Sequence, residues 1–322
     1  MTEEKVLGFY NRYGIVVILA GLLVVCSILS PVFFSQANIV NLLSQIAVVT
    51  IVACGMTLLI IAGQTDLAGG SIVALTGCVC VGTFKSLSEG GMGDFAAGLV
   101  AVGAAVLIGM AINLLAGIII TRFRAPAFIV TLAMMQAGRG ICYIYTGGTP
   151  IYKIGNIVVL GQGRIQGVVP YSVLIMLACI IITWFVLKKM RLGRHIYAVG
   201  GNQEAAKASG ISIEWTIIKS YLIHGFFVGI AGALFMTRLN SGQPAEAEGL
   251  EFDAITAAII GGASLSGGVG GIYGSVIGSI IIGVITNILT LKSVQSYYQM
   301  IITGGIIVLA VILDIVTKGK KD

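Results

Sequence analysis

Few residue types that could do chemistry occur in this 322-residue sequence at the spacing of an enzyme or a metal site. The six cysteines lie in or beside apolar stretches without a C-x-x-C motif, and neither His195 nor His224 has a partner at ligand spacing. A disulfide framework or structural zinc is therefore not predicted. The sequence also lacks a nucleophile with its base, paired carboxylates and a Walker A pattern. The chain is predicted not to be an enzyme and to hold no metal or cofactor of its own.

Three polar residues stand out because they interrupt apolar surroundings. Gln64 and Asp66 lie between two apolar runs in GMTLLIIAGQTDLAGGSIVALTG, residues 55–77, and Asp253 directly precedes AITAAII. Ionisable residues inside a membrane are functional candidates by default. Gln64, Asp66 and Asp253 are therefore candidates for lining a translocation path. The local alternative is that each aspartate caps the helix that follows it.

Arg139 is a further charged residue inside an apolar run, in the segment TLAMMQAGRG. It lies toward the outer end of that run, where its long side chain can snorkel to the membrane interface. The other interpretation places Arg139 at the outer mouth of a path or in contact with a partner. The sequence leaves both interpretations open.

The elements that position these residues are predicted to be membrane-spanning helices. Hydrophobic residues form 57% of the sequence, charged residues form 10%, and the mean hydropathy is +1.03. Since soluble domains carry about 25% charged residues, the fold class is an all-α, polytopic transmembrane helix bundle. The net charge of +6 does not indicate nucleic acid, because the basic residues flank apolar runs and set membrane orientation.

Apolar runs of about 17–25 residues are long enough to cross a membrane as helices. About ten runs occur, at residues 14–34, 40–62, 67–84, 95–121, 126–145, 170–187, 216–237, 250–266, 271–290 and 298–315. An even number places both termini on one side, and Lys318, Lys320 and Lys321 indicate the cytoplasm. A re-entrant half helix at 250–266 would place these lysines outside, so we expect this run to cross, with an unwound part allowed.

Glycine patterns predict how some of these helices pack. Gly270, Gly274 and Gly278 recur at every fourth residue, a spacing that lets helix backbones approach closely. Residues 60–71, IIAGQTDLAGGS, also resemble residues 259–268, IIGGASLSGG, when a gap is allowed. With five runs on each side of the central loop, this match is the basis of a hypothesis of five-plus-five repeats.

The longest polar interruption is a central loop at about residues 188–215. Its basic residues indicate the cytoplasmic side, and they are Lys188, Lys189, Arg191 and Arg194. The segment QEAAKASG, residues 203–210, contains good helix formers followed by a glycine that can cap a helix. A short exposed helix of this kind suits insertion into a groove on another protein. Its motif, E-A-A-x-x-x-G, is formed by Glu204, Ala205, Ala206 and Gly210.

Five blocks in order resemble the ribose, galactose and xylose type of permease from bacterial ABC importers. They are GMTLLIIAGQTDLAGGSIVALTG, TLAMMQAGRG, YAVGGNQEAAKASGI, FDAITAAIIGGASLSGGVGGIYGSVIG and SYYQMIITGGIIVLAVILD. The resemblance implies one permease domain over residues 1–322 in the inner membrane, paired with a second permease copy in a homo- or heterodimer. It also implies a separate ATP-binding cassette subunit that uses the ATP and docks at residues 204–210, and a periplasmic or lipid-anchored sugar-binding protein.

Two other transport functions remain open from the sequence. A related importer could carry a nucleoside instead of a monosaccharide. A proton- or sodium-coupled secondary transporter would need intramembrane acids for its coupling ion, and Asp66 and Asp253 are the residues that qualify. In either importer, the scarcity of charged and aromatic residues within the runs predicts that this subunit has no deep, tight substrate site.

Overall fold

The structure is a computed structural model that describes the backbone of residues 3–318 and the side chains of residues 14–312. This part of the chain is mostly helical, with one antiparallel pair of two-residue strands, β1 and β2. The helices and strands are α1 (Glu3–Leu29), α2 (Gln36–Ile61), α3 (Gly69–Glu89), α4 (Asp94–Phe123), α5 (Ala127–Thr146), a 3-10 turn (Gly155–Ile157), α6 (Val158–Gln162), β1 (Arg164–Ile165), β2 (Val169–Pro170), α7 (Tyr171–Lys189), α8 (Arg191–Gly201), α9 (Gln203–Ala208), α10 (Ile213–Arg238), α11 (Leu250–Ile260), α12 (Ile272–Leu291) and α13 (Ser296–Lys318).

Within the described residues, seven helices are long and apolar enough to cross a membrane, namely α2, α3, α4, α5, α7, α10 and α12. Shorter apolar helical stretches lie at Gly14–Leu29 in α1 and Ser296–Ile312 in α13. The prediction of an all-α, polytopic membrane protein is confirmed. The count of about ten spans is not confirmed, and Lys320 and Lys321, which helped to orient the chain, lie outside the described residues.

Helix α11 departs from the predicted span at 250–266. It has 11 residues, which at 1.5 Å per residue cover about 16 Å, roughly half of the ~30 Å hydrocarbon core. The helix therefore covers only part of the predicted run, and residues 261–266 continue it without helix. The chain nevertheless passes from one end of the bundle to the other, because α10 ends at Arg238 and the amide of Gly268 donates to the carbonyl of Ile61 at the opposite end.

The start of α3 lies at the middle depth of the bundle. Helices α3 and α10 run in parallel, and a Cβ on Gly77 would lie 2.5 Å from the carbonyl oxygen of Gly232. By this register, Gly69 is level with the middle of α10. The side chain of Glu251 lies against the same point, since a Cβ on Gly69 would be 3.5 Å from the Cβ of Glu251. The first turns of α3 and α11 therefore meet inside the bundle.

From this junction, α3 and α11 run in opposite directions. Helix α3 continues toward the end that holds Arg238, whereas α11 follows α2 toward Ile61. Each is preceded by a stretch without regular secondary structure, at residues 62–68 and 239–249. Non-helical backbone at this depth is tolerated where other parts of the protein surround it.

The similarity between residues 60–71 and 259–268 marks a shared way of ending a helix. After α2, the amides of Gly63 and Gln64 donate to the carbonyls of Ile60 and Leu59. After α11, the amides of residues 262 and 263 make the equivalent bonds to residues 259 and 258. Gly63 and Gly262 have φ values of +71° and +87°, which glycine adopts without steric cost.

Candidate functional site

Helix α9 is short, exposed and capped at both ends. The side chain of Asn202 accepts a hydrogen bond from the amide of Ala205 at 2.9 Å, which is standard N-capping. At the other end Gly210 has φ +78°, and its amide donates to the carbonyl of Lys207 at 3.0 Å. The amide of the next residue donates to the carbonyl of Ala206, which completes a Schellman motif. In α9 only Ala206 is buried.

A polar recess of about 700 Å³ lies beside α9. One wall is formed by Glu204 and Lys207, and the turn between α4 and α5 forms another, including Arg124. Gln64 and Glu214 also line it. The exposed face of α9 and this recess together form a polar surface at the end of the bundle where α2 ends and α10 begins.

Asp66 is buried against α10. It is 1% exposed, and its Oδ2 lies 2.9 Å from Nε2 of His224, which is 0% exposed. Its Oδ1 accepts a hydrogen bond from the amide of Ala68 at 2.8 Å. The N-cap position of α3 is Ala68, so the carboxylate bonds the amide just before the helix instead of capping the first turn itself.

His224 fits into the bundle because α2 has a glycine opposite to it. A Cβ on Gly55 would overlap Nδ1 of His224 and lie 2.9 Å from its Cα. Nδ1 is buried and has no hydrogen-bond partner among the described residues. The ring therefore makes its polar contact through Nε2, to Asp66, and occupies space that any larger residue at position 55 would fill.

Glu251 joins the two helix starts. It is 3% exposed, and its Oε2 accepts a hydrogen bond from the amide of Gly70 at 3.1 Å. Gly70 is the second residue of α3, and Glu251 is the second residue of α11. Since the N-terminal end of a helix carries partial positive charge, one carboxylate interacts favourably with both ends.

Sequence reasoning missed His224, Tyr221 and Glu251. The hydroxyl of Tyr221 donates to the carbonyl of Thr65 at 2.8 Å, one turn before His224 on the same helix. His224 had been set aside because it had no ligand-spaced partner in the sequence. The signal that could have found it is an ionisable residue in the middle of the apolar run 216–237.

The three path candidates lie apart. Asp253 is the fourth residue of α11, whose N-cap is Gly249, so the prediction that Asp253 caps this helix was wrong. It lines a cavity of about 280 Å³ near the end of α10, called here the outer cavity after the predicted topology, together with Gln45, Arg238, Glu246 and Glu248. Gln64 instead lines the recess near α9, where its Nε2 donates to the carbonyl of Gly63. Asp66 lines neither cavity.

Arg139 is half-buried and contacts the loop before α11. Its guanidinium donates to the carbonyl oxygen of Pro244 and, at 2.8 Å, to that of Glu246. The Nη1 group of Arg139 thus points to backbone carbonyls of the protein, which favours the interpretation in which Arg139 has a role at this end of the bundle. Arg139 holds the segment that leads into α11, next to the outer cavity.

The three spaced glycines do not share one role. Gly274 and Gly278 face α11, and a Cβ on either would overlap the carbonyl oxygen of Gly261 or Ala257. Gly270 precedes α12 in the loop, where its φ is +143°. Among the described residues, no three His, Cys, Asp or Glu side chains form a group that could hold a metal ion.

Comparison with known proteins defines the class. A family model described as "Branched-chain amino acid transport system / permease component" matches residues 38–311, and the chain belongs to this family. It is thus an ABC importer permease and a multi-pass membrane protein, and ATP hydrolysis belongs to a separate subunit.

Individual relatives are named as sugar permeases. The chain is 41% identical over 298 residues to the ribose import permease protein RbsC of Escherichia coli K12, covering 91% of this chain and 90% of the relative. It is 35% identical to the D-allose transport system permease protein AlsC of the same organism, with 95% and 92% covered. Identity to the xylose transport system permease protein XylH of Haemophilus influenzae is 30%, with 90% and 91% covered. No solved structure matches the chain significantly. The resemblance to sugar ABC permeases is confirmed.

Proposed function

We propose that this chain carries a monosaccharide, received from a periplasmic or lipid-anchored binding protein, through a path formed with a second permease copy. A separate ATP-binding cassette subunit supplies the energy. The names of the relatives, ribose, allose and xylose permeases, support a sugar as the cargo. The observation that carries the proposal is α9, an exposed, doubly capped helix that leads directly into the membrane-spanning helix α10.

In this proposal α9 is the helix on which the ATPase docks. Ala206 anchors it, since this side chain is 3% exposed. Glu204 and Ala205 are exposed on it and available to a groove of the partner, and Gly210 fixes where the helix ends. The recess beside α9 is polar, which suits a contact that must form and change with the nucleotide state.

For the path, we propose that Asp253 contributes from the outer cavity and Gln64 from the recess at the cytoplasmic end. In this proposal Asp66, which is buried against His224, does not itself line the path. The outer cavity is small and open, so selectivity for the sugar is assigned to the binding protein.

The topology we propose retains ten crossings with both termini in the cytoplasm. In two of these crossings a non-helical segment leads to the middle of the membrane and a helix then continues to the other side. These crossings are residues 62–89 and 239–260. The opposite directions of α3 and α11 from their junction support inverted five-plus-five halves. Cysteine labelling from each side of the membrane tests this orientation, and an accessible residue 205 on the outer side would refute it.

The function is tested with the permease, its ATPase and its binding protein in proteoliposomes. We expect uptake of radiolabelled ribose that requires ATP and the binding protein, with competition from allose and xylose. Uridine is the competitor that represents a nucleoside cargo. Uptake driven by a proton or sodium gradient without the ATPase would overturn the proposal in favour of a secondary transporter.

A further inference from the structure

We propose that Tyr221 and His224 are positioning residues that transmit movement of α9 to the junction of α3 and α11. The inference rests on the proposed docking of the ATPase on α9. It goes further by naming the side chains through which a push at the cytoplasmic end reaches the middle of the membrane.

The first link is covalent. Helix α9 ends at Ala208, and α10 begins at Ile213 after a short connection. Both sides of this connection are ordered, because Ile211 closes the cap of α9 and the Ser212 side chain accepts from the amide of Trp215 at the start of α10. Helix α10 is then unbroken for 26 residues, so movement of its first turn is carried to Tyr221 and His224, about two and three turns away.

The second link joins α10 to the non-helical segment 62–68. Tyr221 and His224 lie three residues apart and so share one face of the helix. From this face the Tyr221 hydroxyl holds the carbonyl of Thr65 at 2.8 Å, and Nε2 of His224 holds Asp66 at 2.9 Å. Tyr221 and His224 are fully buried. A segment held by two adjacent buried contacts moves with the helix that holds it.

The third link passes from the segment to the helix starts. Asp66 holds the amide of Ala68, directly before α3, and Glu251 holds the amide of Gly70 from the start of α11. The packing leaves no free space here, because a Cβ on Gly70 would overlap the Glu251 carboxylate. A displacement of Asp66 is therefore passed to the first turns of α3 and α11.

A purely structural role explains the Asp66–His224 pair less well than a role in transmitting movement does. A buried pair of ionisable groups is weak evidence for stability, since apolar residues of similar volume often stabilise equally or more. The pair also requires a glycine at position 55 and leaves Nδ1 of His224 without a partner among the described residues. What the pair does provide is a directional bond between two elements that are 158 residues apart.

The test uses the complete importer in proteoliposomes and two conservative variants. Tyr221→Phe removes one hydroxyl, and Asp66→Asn keeps the shape of the side chain while removing its charge. The first readout is sugar transported per ATP hydrolysed, with ribose as the probe. The second is the rate at which a membrane-impermeant maleimide labels a cysteine introduced by Ala245→Cys, before α11, with and without vanadate-trapped nucleotide.

We expect both variants to lower the ratio of uptake to hydrolysis roughly threefold to tenfold, in the range of single substitutions along coupled networks. The nucleotide-dependent change in the labelling rate at residue 245 should also become smaller, while the ATPase still associates with the permease. Ser220→Ala is the matched control, because Ser220 is 0% exposed on the same helix and, within the described part of the chain, its hydroxyl bonds only to the carbonyl of Thr216 in its own helix. This variant should show the wild-type ratio of uptake to hydrolysis and the wild-type change in labelling.

Three results would overturn the inference: uptake and hydrolysis falling together with an unchanged ratio, wild-type labelling changes in both variants, or an equal effect of Ser220→Ala. Failure of the proposed function is distinguishable. If the wild-type complex shows nucleotide-dependent labelling without ribose uptake, the proposed cargo is wrong. The role of Tyr221 and His224 is then tested by the labelling alone, which should lose its nucleotide dependence in the two variants.

Discussion

The caps of α9 give the sharpest quantitative prediction. The helix has only six residues, and a helix this short has no stability of its own. Its order depends on Asn202 at one end and Gly210 at the other. Asn202→Ala should cost about 1 kcal/mol of helix stability. Gly210→Ala forces alanine to φ +78°, at a cost of roughly 1–2 kcal/mol.

These costs translate into affinity for the ATPase. If the partner binds α9 only in its helical form, the apparent affinity falls with the fraction that is helical. About 1 kcal/mol then corresponds to about fivefold weaker association, and about 2–3 kcal/mol for both changes together to roughly 30-fold to 160-fold. The assay is equilibrium binding of the purified ATPase subunit to the permease in nanodiscs. Folding of the bundle should be unaffected, because α9 is largely exposed.

Two matched substitutions separate backbone strain from loss of space. Gly201→Ala adds a Cβ that meets nothing within 4 Å at a glycine without positive φ, and it should bind as the wild type does. Gly210→Asn should keep most of the affinity, because asparagine tolerates the left-handed region better than alanine. The reasoning is refuted if Gly210→Ala binds normally, or if Gly210→Asn is as weak as Gly210→Ala.

Three further predictions concern the bundle. Gly55→Ala places a Cβ into the ring of His224 and should destabilise by about 1–3 kcal/mol, seen as a lower Tm in detergent; an unchanged Tm would contradict the packing described. Gly278→Ala should also lower the Tm because α11 and α12 must separate, whereas Gly304→Ala, whose Cβ meets nothing within 4 Å, should not. Asp253→Asn should reduce sugar uptake several-fold while ATPase binding stays normal, and full uptake would remove Asp253 from the proposed path.

The sequence predicted what local chemistry determines. Helix α9 and its glycine end follow from the preferences of a few adjacent residues. The orientation argument from basic residues favoured a crossing near 250–266, and that crossing stays a prediction. These predictions needed no information about which parts of the chain meet.

The mid-depth junction could not be predicted because its contacts join distant positions. Asp66 was assigned to capping or to a path, whereas its partner His224 lies 158 residues away. Glu251 was overlooked beside Asp253, although Glu251 is the buried one of the two. Hydropathy gives nearly the same signal for a full span as for a short helix with an apolar loop, so the length of α11 was also out of reach.

The polar residues at the junction make the interruption of two helices inside a membrane protein energetically tolerable. Each break exposes backbone groups that lipid cannot satisfy, at a cost of several kcal/mol each. Here the amides of Ala68 and Gly70 are satisfied by Asp66 and Glu251, the carbonyl of Thr65 by Tyr221, and the carbonyl of Ile61 by the amide of Gly268. Three of these four partners lie more than 150 residues away. The break in α2–α3 can thus exist only where α10 and α11 are docked correctly, and the same bonds that stabilise it also tie it to their movement.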